Sequence, residues 1–197
     1  MYVIGLTGGS GSGKGYCAEL FEKHGIYSLD TDAVARYVCG EDTPCIGELR
    51  AAFGDEIING DGTLNRPNLA RKVFTDGKKR MLLNSITHKY ILSECDKWAK
   101  ERERSGDFAA IIDAPLLYES RYNYRCDYCV AVVADEDERI RRIIERDGLS
   151  YDDAVARISA QHDNHYFRNR ADFLIYNNPG DHPDLQIDLI IQQIRFV

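Results

Sequence analysis

Five short apolar runs separated by helix-period segments predict an α/β fold built on a parallel five-stranded sheet flanked by helices. A glycine-dense stretch follows the first run at once and leads into a helical pattern, which is the order strand, loop, helix. Residues 32 to 106 carry only helical periodicity broken by turns such as Asn59-Gly60-Asp61-Gly62, too long a connection for a simple crossover.

The strand assignments rest on composition and brevity. Val3 to Thr7, Tyr27 to Leu29, Ala109 to Ile112, Val130 to Val133 and Phe173 to Ile175 are apolar runs of the kind buried on both faces of a parallel sheet. The expected organisation is one domain: a core from 1–31, 107–140 and 170–197, a helical acceptor-binding insertion over about 32–106, and a helical lid over about 141–169. Leu82, Leu83 and Ile86, then Ile91, Leu92 and Trp98, form the stripes the insertion is expected to bury. Asp135 to Glu138 open a helix at the end where the macrodipole favours acids, with Ile140, Ile143 and Ile144 on its apolar side. Ser150 and Asp153 resemble a capping box ahead of Ala154, Val155 and Ile158. A last helix carries Leu185, Leu189 and Ile190.

Composition bounds the function. The chain has 197 residues, 44% of them hydrophobic, and 25 Lys and Arg against 32 Asp and Glu leave a formal charge of −7. A chain of this length buries about 70% of its unfolded surface, enough for a core without disulfides or structural metal. The acidic balance argues against a broad nucleic-acid-coating surface, which needs excess Lys and Arg. No apolar run approaches the roughly 20 residues of a membrane span, and the first residues lack a basic leader, so a cytoplasmic protein without nucleic-acid or membrane partners is expected. Six cysteines are scattered, and Cys126-Asp127-Tyr128-Cys129 lacks the second ligand pair of a zinc site. Because it runs straight into Val130 to Val133, strand packing is its expected role.

The chemistry concentrates at a few positions. Gly8-Gly9-Ser10-Gly11-Ser12-Gly13-Lys14 fits the first seven positions of the phosphate-binding loop G-x-x-x-x-G-K-[ST]. Glycines let the amides converge on an anion, the following helix adds its positive end, and Lys14 reaches the β- and γ-phosphates. Gly15 then stands where a Ser or Thr hydroxyl would hold Mg²⁺. Water can take that place, since Mg²⁺ keeps several waters, or the site only binds nucleotide. Tyr16, which closes the nucleotide-site stretch, is too bulky to replace the hydroxyl. Asp30 and Asp32 follow the second strand at the sheet's carboxyl edge, where ligands of such folds collect. Asp32 is the candidate base for an acceptor hydroxyl and a support for metal-bound water, while either aspartate could instead cap a helix. Asp113 ends the third strand and resembles the aspartate that supports Mg²⁺. Arg139, Arg142 and Arg146 share a helix face at i, i+3 and i+7, with Arg157, Arg168 and Arg170 downstream. One or two of them are expected to meet phosphate. His88 taken alone reads as a packed or capping residue.

Together these segments resemble the dephospho-coenzyme A kinase family. The resemblance covers nearly the whole chain: Ile4 to Lys14, then Leu29-Asp30-Thr31-Asp32-Ala33-Val34-Ala35-Arg36 like its D-x-D-x-x-A-R segment, and His88 after Leu83-Asn84 like its L-N-x-x-x-H. Asp113-Ala114-Pro115-Leu116-Leu117-Tyr118-Glu119 is similar to D-x-P-L-L-x-E, and Arg142, Arg146 to Ser150, Arg157-Ile158 and Gln161 resemble its lid. Arg170 to Ile175 with Asn177 looks like its closing strand. The family implies a three-layer P-loop fold and transfer of the γ-phosphoryl of ATP, with Mg²⁺, to the 3′-hydroxyl of dephospho-CoA, the last step of coenzyme A biosynthesis. By resemblance Lys14 and the loop from Gly9 hold ATP phosphates, Asp32 is the base, Arg142 belongs to the lid, and Asn177 lies near the adenine. Arg36, His88, Leu117 and Glu119, with Arg157 and Gln161 of the lid, are implied on the acceptor side. The family usually has Ser or Thr at position 15 and Asp at position 176, where this chain has Gly and Tyr. A nucleoside or nucleotide kinase of similar architecture, or a non-catalytic nucleotide binder, is the alternative. A GTPase is disfavoured by the absence of an N-K-x-D motif.

Overall fold

The computed structural model describes residues 1–74 and 76–196, and the chain divides into two compact units. The first comprises Met1–Leu29 and Glu101–Val197, the second Asp30–Lys100.

The first unit is a sheet wrapped by helices. Strands β1 (Tyr2–Thr7), β2 (Ser28–Asp30), β3 (Ala109–Asp113), β4 (Tyr128–Val133) and β5 (Phe173–Tyr176) lie in the order β2-β3-β1-β4-β5. β1 runs parallel to both β3 and β4, and β4 is parallel to β5. Helix α1 (Lys14–Glu22) follows β1, and α6 (Glu136–Asp147), α7 (Tyr151–Ser159) and α8 (Asn164–Arg168) join β4 to β5 before α9 (Pro183–Arg195) closes the chain. Tyr27 stays outside the expected second strand, although its carbonyl accepts from the Ile111 amide at 2.8 Å, and the strand itself runs on to Asp30.

Alternation along β1 builds the layers. Ile4 and Leu6 point to one face, where Phe21 of α1, Val130, Val132 and Ile175 of the sheet and Ile187, Ile190 and Ile194 of α9 form one buried cluster. Each such fully buried aliphatic side chain contributes about 1.5–3 kcal/mol. Gly5 points to the opposite face, where a Cβ would meet Leu117 at 2.8 Å and the Cys126 sulfur at 2.9 Å. The expected packing role of the Cys126–Cys129 pair is seen at Cys129, which is buried within β4. In α9 the periodicity is present but its apolar rim is not covered. Ile190 is buried, whereas Leu185 and Leu189 face solvent.

The second unit is helical: α2 (Thr31–Val38), α3 (Pro44–Phe53), a 3-10 turn at Asp55–Ile57, α4 (Arg66–Phe74) and α5 (Gly77–Arg104), whose last turn passes into the first unit. Thr43 caps α3 by accepting from the Ile46 amide, with Pro44 in the first turn. A single antiparallel bridge, Ile58 to Leu64, closes the Asn59–Gly62 turn. The stripe expected on α5 is corrected in part. Ile86 is buried, but with Cys95 and Ala99, while Leu82 is exposed and the other expected positions are half-buried. A 28-residue helix runs about 42 Å, and partners of 8 to 10 residues cannot cover one stripe along all of it. No helix among the described residues is long and apolar enough to cross a membrane.

Gly5 makes the packing testable. Gly5→Val should overpack the Leu117–Cys126 contact and lower stability by about 1–3 kcal/mol, seen as a lower urea midpoint at unchanged slope. An unchanged midpoint would show that this face of β1 has room to spare.

Candidate active site

The Gly8–Lys14 stretch becomes a loop because β1 ends at Thr7 and α1 begins at Lys14. Gly13 caps the helix in the left-handed region at φ 89°, and Gly11 has φ 78°. Both positions are also crowded. A Cβ on Gly11 would lie 2.5 Å from the Arg139 carbonyl oxygen, and one on Gly13 would run into the Asn177 amide nitrogen. Glycine is needed there for conformation and for space.

Three consecutive loop carbonyls are anchored from behind. Arg139 Nε donates to the Ser10 carbonyl at 2.9 Å, and Arg142 Nη1 donates to those of Gly11 and Ser12 at 3.2 Å each. Asn177 Nδ2 adds a second donor to the Ser12 carbonyl at 2.8 Å, while Arg142 Nη2 holds the Asn177 carbonyl at 2.7 Å. Among the described residues the Gly11 and Gly13 amides have no acceptor. Carbonyls bound on one side and amides unspent on the other make an anion nest above the N-terminus of α1.

Lys14 pairs with Asp113, and both side chains are largely buried. The register Leu6 to Asp113 between β1 and β3 sets this aspartate beside the loop's first residues. The carboxylate neutralises the lysine and keeps a buried ammonium from being uncompensated.

The arginines divide by depth. Arg139 is 3% exposed, Arg142 is half-buried, and Arg146 is exposed on the shared face of α6. Glu138 accepts from Arg141 and pairs with Arg142 Nε at 2.7 Å. Its carboxyl is pushed down to about 2, first by the Arg141 hydrogen bond and then, against the opposing effect of burial, by the charges of Arg142 and Arg141. In the expected lid, Arg146 and Arg157 both bind Asp147, and the Arg146 hydrogen bond is the main reason its carboxyl also falls to about 2. Ser150 caps α7 by accepting from the Asp153 amide at 3.1 Å, as its capping-box spacing implies. Gln161, just past α7, bonds to Ser10, its Oε1 accepting from the amide and its Nε2 donating to the hydroxyl, 2.8 Å each. Glu119 lies 3.2 Å from His162, whose ring stacks on Tyr166 at 3.5 Å.

Leu117, implied on the acceptor side by the family resemblance, lies away from solvent. It is fully buried under Gly5, and its carbonyl is bound by the Tyr122 amide. Tyr16 is exposed, and a Cβ added to Gly15 would meet nothing within 4 Å.

In the second unit, Asp30 is the α2 cap. Its carboxylate accepts from the Asp32 amide at 2.8 Å and lies 3.6 Å from Arg36. The Asp32 side chain is left exposed, with no partner among the described residues. His88 is half-buried on α5, and burial pushes its imidazole below the ordinary value, toward the neutral form. Sequence reading missed the specific part of Arg139, which was one of several arginines on a face, and of Glu138 and His162. The signal for Arg139 was the i, i+3 spacing to Arg142, which turns both guanidinium groups toward one loop.

A family model described as dephospho-CoA kinase matches residues 2–182. The chain is 42% identical over 195 residues to a dephospho-CoA kinase of Corynebacterium efficiens, covering 98% of each protein. It is 36% identical over 197 residues to an Arabidopsis thaliana protein of the same name, covering 99% of this chain and 84% of that one. Among solved structures it is similar to TT1252 from Thermus thermophilus, with a TM-score of 0.82, 31% identity and coverage of 100% and 98%.

Glu138 supplies a pH test of the anchoring. Its folded value of about 2 lies below its ordinary 4.5, so its contribution to stability is full above about pH 4.5 and is lost as pH falls through 2. Urea melts of Glu138→Gln against wild type should differ most near neutrality and converge between pH 4.5 and 2. A difference independent of pH would mean the carboxylate does not hold the arginines by charge.

Proposed function

The chain belongs to the dephospho-CoA kinase family, and on that premise we propose how its residues share the ATP-dependent phosphorylation of dephospho-CoA that yields CoA and ADP. The observation that carries the reading is the loop itself: anchored carbonyls, unspent amides at Gly11 and Gly13, and a lysine parked on Asp113. Polyphosphate bound to those amides draws Lys14 off Asp113, since an ammonium gains more from several phosphate oxygens than from one carboxylate.

Phosphoryl transfer asks for positioning and charge more than covalent chemistry. Asp32 takes the proton of the acceptor's 3′-hydroxyl. Support for this comes from its place after β2, its exposed carboxylate and the fact that Asp30, not Asp32, caps the helix. Arg142 keeps the loop in shape, and Asn177, bound to it, marks the adenine side. Arg146 exchanges Asp147 for polyphosphate charge, while Arg157 of the lid serves the acceptor side. Arg36, neutral His88 and Glu119 serve the acceptor.

The donors present suit Mg²⁺. Asp113, and separately Asp32, are the hard-oxygen donors that would hold it, and water would stand in where Gly15 provides no hydroxyl. When bound it neutralises charge on the β- and γ-phosphates. A cytosolic location accords with six unbridged cysteines.

Incubation with ATP and Mg²⁺ should give ADP and mass-confirmed CoA only with dephospho-CoA, not with adenosine or AMP. Phosphorylation of AMP instead would move the reading to a nucleotide kinase. Asp32→Asn should lower kcat by roughly 10²–10⁴ with ATP affinity nearly unchanged, and wild-type turnover in that variant would remove Asp32 as the base. Gly15→Ser, entering open space, should lower the Mg²⁺ concentration needed for half-maximal rate. An unchanged requirement would show the hydroxyl's role is filled elsewhere.

A further inference from the structure

Arg139 is a buried cation that makes no ion pair among the described residues. Burial acts to lower its pKa, opposed only by the charge of Glu136, yet a guanidinium stays protonated throughout the working range. A buried charge without a counter-ion is costly unless something else requires it. What it touches is the phosphate loop. Its Nε binds the Ser10 carbonyl, its guanidinium covers Gly9 so closely that a Cβ there would collide with it, and its backbone crowds Gly11. Its Nη2 also reaches Gln161 Oε1 at 3.2 Å.

Gln161 completes the arrangement from the other end of the lid. Its Oε1 accepts from the Ser10 amide and from Arg139, and its Nε2 donates to the Ser10 hydroxyl. Ser10 is thus held by its amide, carbonyl and side chain, through one residue near the start of α6 and another just after α7. Between these two lie Arg146 and Arg157.

We propose that Arg139 and Gln161 are positioning residues: they lock Ser10 and tie the phosphate loop to both ends of the α6–α7 segment, so the γ-phosphoryl is aimed only while this clamp is closed. Arg139 adds fixed positive charge behind the loop, offset when polyphosphate arrives. The inference rests on the kinase reading for its kinetic consequences, whereas the clamp itself is tested without turnover.

The test uses Gln161→Ala, an exposed position where folding should survive, alongside Ser10→Ala and the double variant. In ligand-free protein, exchange of the Ser10 amide should speed by about tenfold or more in Gln161→Ala. Unchanged exchange overturns the clamp, whatever the reaction. In turnover, Gln161→Ala should lower kcat on the order of tenfold to a hundredfold, leave KM for dephospho-CoA in place, and raise ADP formed per CoA above one as misaimed phosphoryl meets water. A higher KM for dephospho-CoA with kcat and the product ratio intact would instead make Gln161 an acceptor contact and overturn the proposal. Adding Ser10→Ala to Gln161→Ala should cost less than the two changes summed, because their side chains share one bond. Full additivity contradicts it. Arg139→Met, which keeps bulk but removes donors and charge, should also raise the product ratio. Loss of thermal stability alone, with normal kinetics per folded molecule, would reduce Arg139 to packing.

Discussion

A phosphate-binding loop has to keep a shape that its own backbone would not choose. Left-handed glycines at 11 and 13 turn successive peptide groups so that carbonyls face one way and amides the other. That arrangement survives because the carbonyls of Ser10, Gly11 and Ser12 are bound by Arg139, Arg142 and Asn177. Each carbonyl would otherwise be desolvated without a partner, a cost of about 1–3 kcal/mol apiece. Preorganisation of this kind lets nucleotide binding spend little on ordering the loop.

The sheet makes those contacts available. In the order β2-β3-β1-β4-β5, the loop after β1 is flanked by strands on both sides. β3 delivers Asp113 to Lys14, and β4 leads through Ala134 into α6, which carries both arginines. Asn177 follows β5 directly, and its amide is tied to the Val133 carbonyl at 2.9 Å. Parallel strands all end on the same side, so residues distant in sequence converge on one loop. Burial of Ile4, Leu6, Val130, Val132 and Ile175 against α1 and α9 fixes the frame.

Much of this is legible in the sequence alone, for identifiable reasons. The loop pattern constrains backbone, and only glycine meets its conformations, so the pattern and the structure coincide. Five apolar runs became five strands because a parallel sheet buried on both faces leaves little choice of residue. The less legible parts turned on coverage and direction. Leu82, Leu185 and Leu189 lie at helix-periodic positions, but period alone does not say how far a neighbour extends along a helix. Leu117 sits within a family-like segment, yet the turn after β3 folds it under Gly5 of β1. Arg139 and Arg142 were recognisable as face-sharing arginines, while the carbonyls they bind depend on a loop that only tertiary packing sets. Asp30 and Asp32 were equivalent as caps until α2 began at Thr31.

The most direct test of a preset loop is a pair of crystal structures, without ligand and with a non-hydrolysable ATP analogue. The account predicts that the Gly8–Gly13 backbone superposes within about 1 Å, with the three carbonyl anchors intact, and that at the loop itself the Lys14 ammonium alone relocates, from Asp113 to phosphate. A loop that is rebuilt on binding, with Arg142 and Asn177 released from the carbonyls, would contradict it.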